Sequence, residues 1–250
     1  MPNYYQTGQY SFSTQNPGYI PQKQVNFGGE SNNKTFNYTN TYDWTGVNIS
    51  DSSVNSHSTY KMGNYNDNLH AYGSEQNITA DLGGGYNSFS SGWYSNNSTF
   101  NIRSSGGQYT LLGVGHTFNI NSGNNSDYVN IGSDWDDFNN TMTNYKGTIN
   151  LAGGDNTVLI NGSLRGNNLT FNALESGSNS ITLRDYSLDD ITAFKKIGRN
   201  MYELKDLKGN TYRINSAFKK IDMLKLSYNA QGNITYTPTT KTLDELDQLK

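Results

Sequence analysis

Between about Thr99 and Asp185 the chain repeats a pair of very short, alternating apolar segments, and this repeat limits the folds open to it. Phe100/Ile102, Phe118/Ile120, Ile149/Leu151 and Phe171/Ala173 read as first strands of the repeat. Tyr109/Leu111, Val129/Ile131, Val158/Ile160 and Ile181/Leu183 read as second strands. Counted between leading residues, the first-strand steps are 18, 31 and 22 and the second-strand steps 20, 29 and 23. The two series change together, as expected if each unit is strand, Gly/Asn turn, strand, turn. One unit then carries an insertion of about ten residues that contains Asp134, Trp135, Asp136, Asp137 and Phe138.

The pattern predicts an all-β chain, a right-handed parallel β-solenoid of the β-roll kind, over residues 36–186. An antiparallel β-sandwich supports the same alternation and is the competing architecture. With 33% hydrophobic residues and a mean hydropathy of −0.77, the chain lacks the apolar mass of a thick core. A coil needs only one or two inward aliphatic residues per strand, because stacked neighbours bury the remainder. Gly and Asn suit its corners, where the backbone reverses through conformations that β-branched residues resist.

The flanks read differently. Residues 1–35 hold three of the four prolines and no sustained period, the texture of a flexible N-terminal arm. Residues 187–250 read as a capping region. Ser187–Asp190 suggests a short helical turn, and Met201–Ile214 two strands around Lys208-Gly209-Asn210. Met223–Tyr228 and Ile234–Tyr236 form another strand pair, and Leu243, Leu246 and Leu249 follow at helical spacing.

The net charge of −3 conceals an asymmetry: residues 1–189 hold 7 Lys/Arg against 14 Asp/Glu, and residues 190–250 hold 11 against 7. An acidic body argues against nucleic acid as the partner, since that affinity rests on cations meeting phosphates. The absence of cysteine excludes disulfides, Cys-ligated zinc and a thiol nucleophile. No stretch approaches the roughly 18 apolar residues of a membrane span, and residues 1–25 lack the basic and apolar regions of a Sec signal peptide. The expected location is extracellular or at the cell surface, reached by another route.

Ser122-Gly123-Asn124-Asn125-Ser126-Asp127-Tyr128-Val129-Asn130, and more loosely Gly63-Asn64-Tyr65-Asn66-Asp67-Asn68-Leu69-His70, resemble the nonapeptide G-G-x-G-x-D-x-(apolar)-x of the RTX proteins. That resemblance covers about a third of the chain. It implies a β-roll assisted by calcium, with Asp127 and Asp67 among the ligands, and export by a type I route through an uncleaved C-terminal signal. The Ser/Asn/Gln-rich N-terminus suits a type III route equally. Gly153–Val158 has the turn but is too short to place its Asp at the metal position, so few calcium sites are expected. The cluster Asp134, Asp136 and Asp137 has a higher charge density for this hard cation, although a solvated acidic loop explains it as well.

Catalytic signals are sparse. His57, His70 and His116 are scattered, and no H-E-x-x-H, G-x-S-x-G or Walker pattern occurs. On a solenoid, Asp81, Arg103, Asp127, Asp155 and Arg165 supply the residue types of a polysaccharide lyase or hydrolase. The 19 tyrosines, with Trp44, Trp93 and Trp135, exceed what a thin coil is expected to bury and point to glycans, surface proteins or self-association. Ice binding needs threonine at a constant repeat position, and no such array is legible. The leading expectation is a secreted structural or adhesive solenoid, with a host-directed effector and a carbohydrate-active enzyme as alternatives.

Overall fold

The computed structural model describes residues 23–28, 34–38, 46–132, 144–162 and 164–249. The coil comprises β1 (Lys23–Phe27), β2 (Lys34–Asn37), β3 (Val47–Asp51), β4 (His57–Lys61), β5 (Asn68–Ala71), β6 (Asn77–Asp81), β7 (Asn87–Ser91) and β8 (Thr99–Ser104). It continues through β9 (Gly107–Leu111), β10 (Thr117–Ser122), β11 (Tyr128–Ile131), β12 (Lys146–Leu151), β13 (Thr157–Ile160), β14 (Asn168–Ala173) and β15 (Asn179–Arg184). A short 3-10 turn at Leu188–Asp190 leads into β16 (Ile191–Gly198), β17 (Met201–Asp206), β18 (Thr211–Asn215), β19 (Phe218–Tyr228), β20 (Ile234–Thr242) and α1 (Leu243–Leu249).

These strands form the parallel β-solenoid that the repeat predicts. Odd strands β1 to β15 stack in sequence order into one sheet, and even strands β2 to β14 into the other. The second-strand register agrees with the sequence: Tyr109, Val129, Val158 and Ile181 lie in one line. The first-strand register differs at one step. Phe118 stands opposite Phe100, but Ile149 stands opposite Ile120, and Phe118 faces Gly147. The glycine masks the inward position. A Cβ at Gly147 (φ 124) lies 2.0 Å from Phe118 O, so no side chain fits, and the ring of Tyr145 packs edge-on to Phe118 instead (centroids 5.4 Å apart).

The coil also reaches beyond its sequence signal. β1, inside the segment read as an arm, pairs in parallel with β3. At the other end β18 and β19 add to β14 and β15 in parallel. The chain then reverses, with β16, β17 and β18 forming an antiparallel meander and β19 and β20 a long hairpin. α1 starts at a capping box: Glu245 N–H donates to Thr242 Oγ1 (3.2 Å) and Thr242 N–H to Glu245 Oε2 (2.8 Å). Leu243 and Leu246 are buried beneath it. No described helix is long and apolar enough to cross a membrane.

Alternation sends two largely aliphatic or aromatic columns from each sheet inward, each large side chain contributing about 1.5–3 kcal/mol by burial. Phe100 and Phe118 stack along the axis with centroids 5.5 Å apart, and Phe89 from the opposite sheet packs tilted against Phe100 at 5.2 Å. The coil buries more aromatic surface than its thinness suggests. Among the described residues seven tyrosines, at 38, 60, 109, 145, 186, 202 and 212, are in the core of the coil and its cap.

Candidate functional site

Asp67 and Asp127 stand in one interior column at the entry to the odd strands, shared with Val47, Asn87, Gly107, Asn156 and Asn179. Their oxygens hold the backbone of the preceding turn. Val47 N–H donates to Asp67 Oδ1 (2.7 Å), Asp67 N–H to Asn87 Oδ1 (2.9 Å), Gly107 N–H to Asp127 Oδ1 (2.8 Å) and Asp127 N–H to Asn156 Oδ1 (3.1 Å). A corner N–H has no strand partner, and a short acceptor side chain one turn on satisfies it. Aspartate and asparagine therefore do the same work in this column. Both carboxyl groups are almost fully buried, and loss of hydration pushes each pKa up to about 6. Asn87 and Gly107 separate them, so the fold does not gather the two candidate ligands. Asp134, Asp136 and Asp137 lie outside the described residues. Among the described residues no group of three or more His, Asp or Glu converges.

The opposite corner carries a second column that sequence reasoning missed: Ser56, Gln76, Ser98, His116, Tyr145, Asn167 and Asn210, all buried. Gln76 N–H donates to Ser98 Oγ (3.0 Å), Ser98 N–H to His116 Nδ1 (3.0 Å), Tyr145 N–H to Asn167 Oδ1 (2.7 Å) and Asn167 N–H to Asn210 Oδ1 (3.0 Å). His116 must keep Nδ1 unprotonated to accept its bond, and burial lowers its pKa to about 4. The available signal was a polar residue immediately before each alternating strand.

The outer face of the even sheet carries the coil's most regular exposed pattern. Thr35, Thr59, Thr79, Asn101, Asn119, Thr148 and Thr170 form one column across seven strands. This corrects the expectation that threonine occupies no constant position. The steps between these residues are 24, 20, 22, 18, 29 and 22, so no fixed period reveals them. The next column on the same face runs Asn37, Lys61, Asp81, Arg103, Asn121, Asn150, Asn172. Side-chain amides bridge the turns: Asn119 Nδ2 donates to Asn101 Oδ1 (2.9 Å), Asn150 Nδ2 to Asn121 Oδ1 (2.7 Å) and Asn172 Nδ2 to Asn150 Oδ1 (2.8 Å). Such ladders hold the exposed groups in fixed rows.

Where this face meets the corner after β6, a groove of about 700 Å³ opens, lined by Asp81, Gly83, Gly84, Arg103, Asn121 and Asn124 among others. Of the residues suited to polysaccharide chemistry, only Asp81 and Arg103 come together, as register partners. Asp127 points inward. Asp155 sits on an exposed corner, where its Oδ1 accepts the N–H of Ser178 (2.8 Å), and Arg165 lies on the opposite edge. Among the exposed aromatics, Tyr72 stacks flat on His70 (5.8 Å), and Trp93 and Tyr94 project from the connection after β7. Trp44 and Trp135 lie outside the described residues. No family model, curated protein or solved structure matches the chain.

Proposed function

We propose that the protein is an extracellular adhesive or matrix component that binds an extended polysaccharide along the outer face of its even sheet. The observation that carries this reading is the seven-strand Thr/Asn column. Strands about 4.8 Å apart repeat hydroxyl and amide groups at close to the length of one sugar unit in an extended glycan. Rows already fixed by ladder bonds lose little freedom on binding, which favours a polymer held by many weak contacts. Lys61 and Lys146 flank the column beside Arg103, and their strongly hydrated ammonium groups disrupt an ordered water lattice. A hydrated polymer therefore suits this face better than ice.

The double variant Thr148→Val/Thr170→Val keeps the β-branched shape and removes two adjacent hydroxyls. Its retention on immobilised polysaccharides is expected to fall at least threefold relative to the wild type, with unchanged circular dichroism. Equal retention of the two proteins on every polymer that either binds rejects the face as the binding surface. Calcium, implied by the RTX resemblance, is a separable part of the reading. A melting temperature unmoved by millimolar calcium removes the ion and leaves the polymer-binding face intact.

A further inference from the structure

The coil is acidic in sequence, yet the outer face of the even sheet is not. From β4 to β18 its outward positions hold Lys61, Arg103, Lys146 and Arg213 against a single carboxylate, Asp81. Buried Asp51, Asp67 and Asp127 account for part of the acidic count and contribute nothing to this surface. Arg213 is drawn toward Glu203 (3.4 Å) in the cap. Arg103 is different: among the described residues its side chain makes no ion pair or hydrogen bond, and its guanidinium is exposed in the groove.

Its register neighbour does not neutralise it. Asp81 Oδ1 accepts the N–H of Gly83 (3.1 Å), which turns the carboxylate into its own corner. That corner is Gly83-Gly84-Gly85, and its bareness is enforced by close stacking. A Cβ at Gly83 lies 1.8 Å from Gly63 O, and one at Gly85 lies 2.6 Å from the carbonyl carbon of Tyr65. The missing side chains leave the groove open beside the guanidinium. Asn121 and Asn124 add amide groups to its wall, and it is continuous with the column that flanks the threonines.

An unpaired arginine in a polar groove presents a planar fork that fits a carboxylate with two parallel hydrogen bonds. We propose that this groove takes a uronate unit of an acidic polysaccharide. Arg103 receives its carboxylate, and the free oxygen of Asp81 and the amides of Asn121 and Asn124 receive its hydroxyls. The inference deepens the proposed function and rests on it, because the same chain lies along the Thr/Asn face and enters the groove from it.

The test uses the full chain and three probes, polygalacturonate, a neutral soluble β-glucan and dextran sulfate, with binding followed by calorimetry or affinity electrophoresis. The wild type is expected to bind polygalacturonate tightest and to weaken as salt rises. Arg103→Gln, an exposed change that leaves the core untouched, is expected to reduce polygalacturonate affinity at least tenfold and to leave β-glucan affinity within twofold. Arg103→Lys is expected to fall between them, since it keeps the charge and loses the fork. Equal polygalacturonate binding by wild type and Arg103→Gln overturns the inference, and so does preference for dextran sulfate, which a site reading charge alone produces. If β-glucan binding persists in either case, the face reading stands without the groove. If no polymer is bound, both fall.

Discussion

Asp127 is a carboxylate in a position that the two following turns fill with amides. Asn156 and Asn179 occupy the same column, and Asn87 Nδ2 donates to Ser104 Oγ (3.0 Å) where Asp127 Oδ2 accepts from Ser122 Oγ. Burial raises the Asp127 pKa from 3.8 to about 6, so between those values the folded state binds more protons than the unfolded one. The wild type therefore loses stability through this group as pH climbs across that window, and the loss persists above it. Asp127→Asn is expected to be more stable at pH 7 by up to about 3 kcal/mol, with the difference vanishing near pH 4, as read by urea denaturation at both values. His116 acts in the opposite sense. Its lowered pKa makes its contribution full above about 6.5 and progressively lost as pH falls toward about 4, so only the difference between variant and wild type isolates Asp127. Gly147 sets a harder limit. Gly147→Ala places a methyl against Phe118 O at a left-handed φ of 124 and is expected to cost at least about 2 kcal/mol in thermal denaturation.

Among the elements, what alternation encodes was legible and what glycine or a polar corner encodes was not. β9, β11, β13 and β15 each carry two inward apolar residues, and the sequence yields their register without error. β12 was misread by two residues because its inward position beside Phe118 is Gly147. β1 was missed because Val25 alone is buried among its described side chains, and β16 because the strand lies in the cap, where no repeat marks it. The polar columns have the same weakness as signals. Ser, Gln, His, Tyr and Asn alternate at one corner, and only the register shows that they share a position. Asn210 closes that column, with Nδ2 bonds to Leu164 O (3.0 Å) and Asp206 Oδ2 (2.8 Å) besides accepting from Asn167. Asn210→Ala leaves buried donors and acceptors without partners and is expected to destabilise the chain by about 2–4 kcal/mol in urea denaturation, far more than an exposed Asn121→Ala.

In the whole molecule the cap is an integral part of the coil. Tyr212, Ile214, Ile221 and Met223 cover the last turn at Leu169, Phe171, Ile181 and Leu183, and the two sheets end in antiparallel strands. Removing residues 187–250 uncovers that turn and two parallel strand edges. The shortened chain is expected to elute as oligomers or aggregate on size-exclusion chromatography where the full chain elutes as one species. The overall coil was legible because it is a sum of local repeats. The binding face was not, because its regularity belongs to the stacked molecule and disappears in a linear count. The connections explain why. The link from β11 to β12 spans Ile131 to Lys146, whereas β9 and β10 are joined by residues 112–116 alone, yet the strands on either side stay in line. Chain length on the edge after the odd strands is thus decoupled from position along the axis. The molecule behaves as a graduated rod, on which each turn sets a height and any segment spliced into that edge emerges at a known mark. Two foreign epitopes placed in different turns would be held apart by whole multiples of about 4.8 Å, a spacing ruler that needs no redesign of the core.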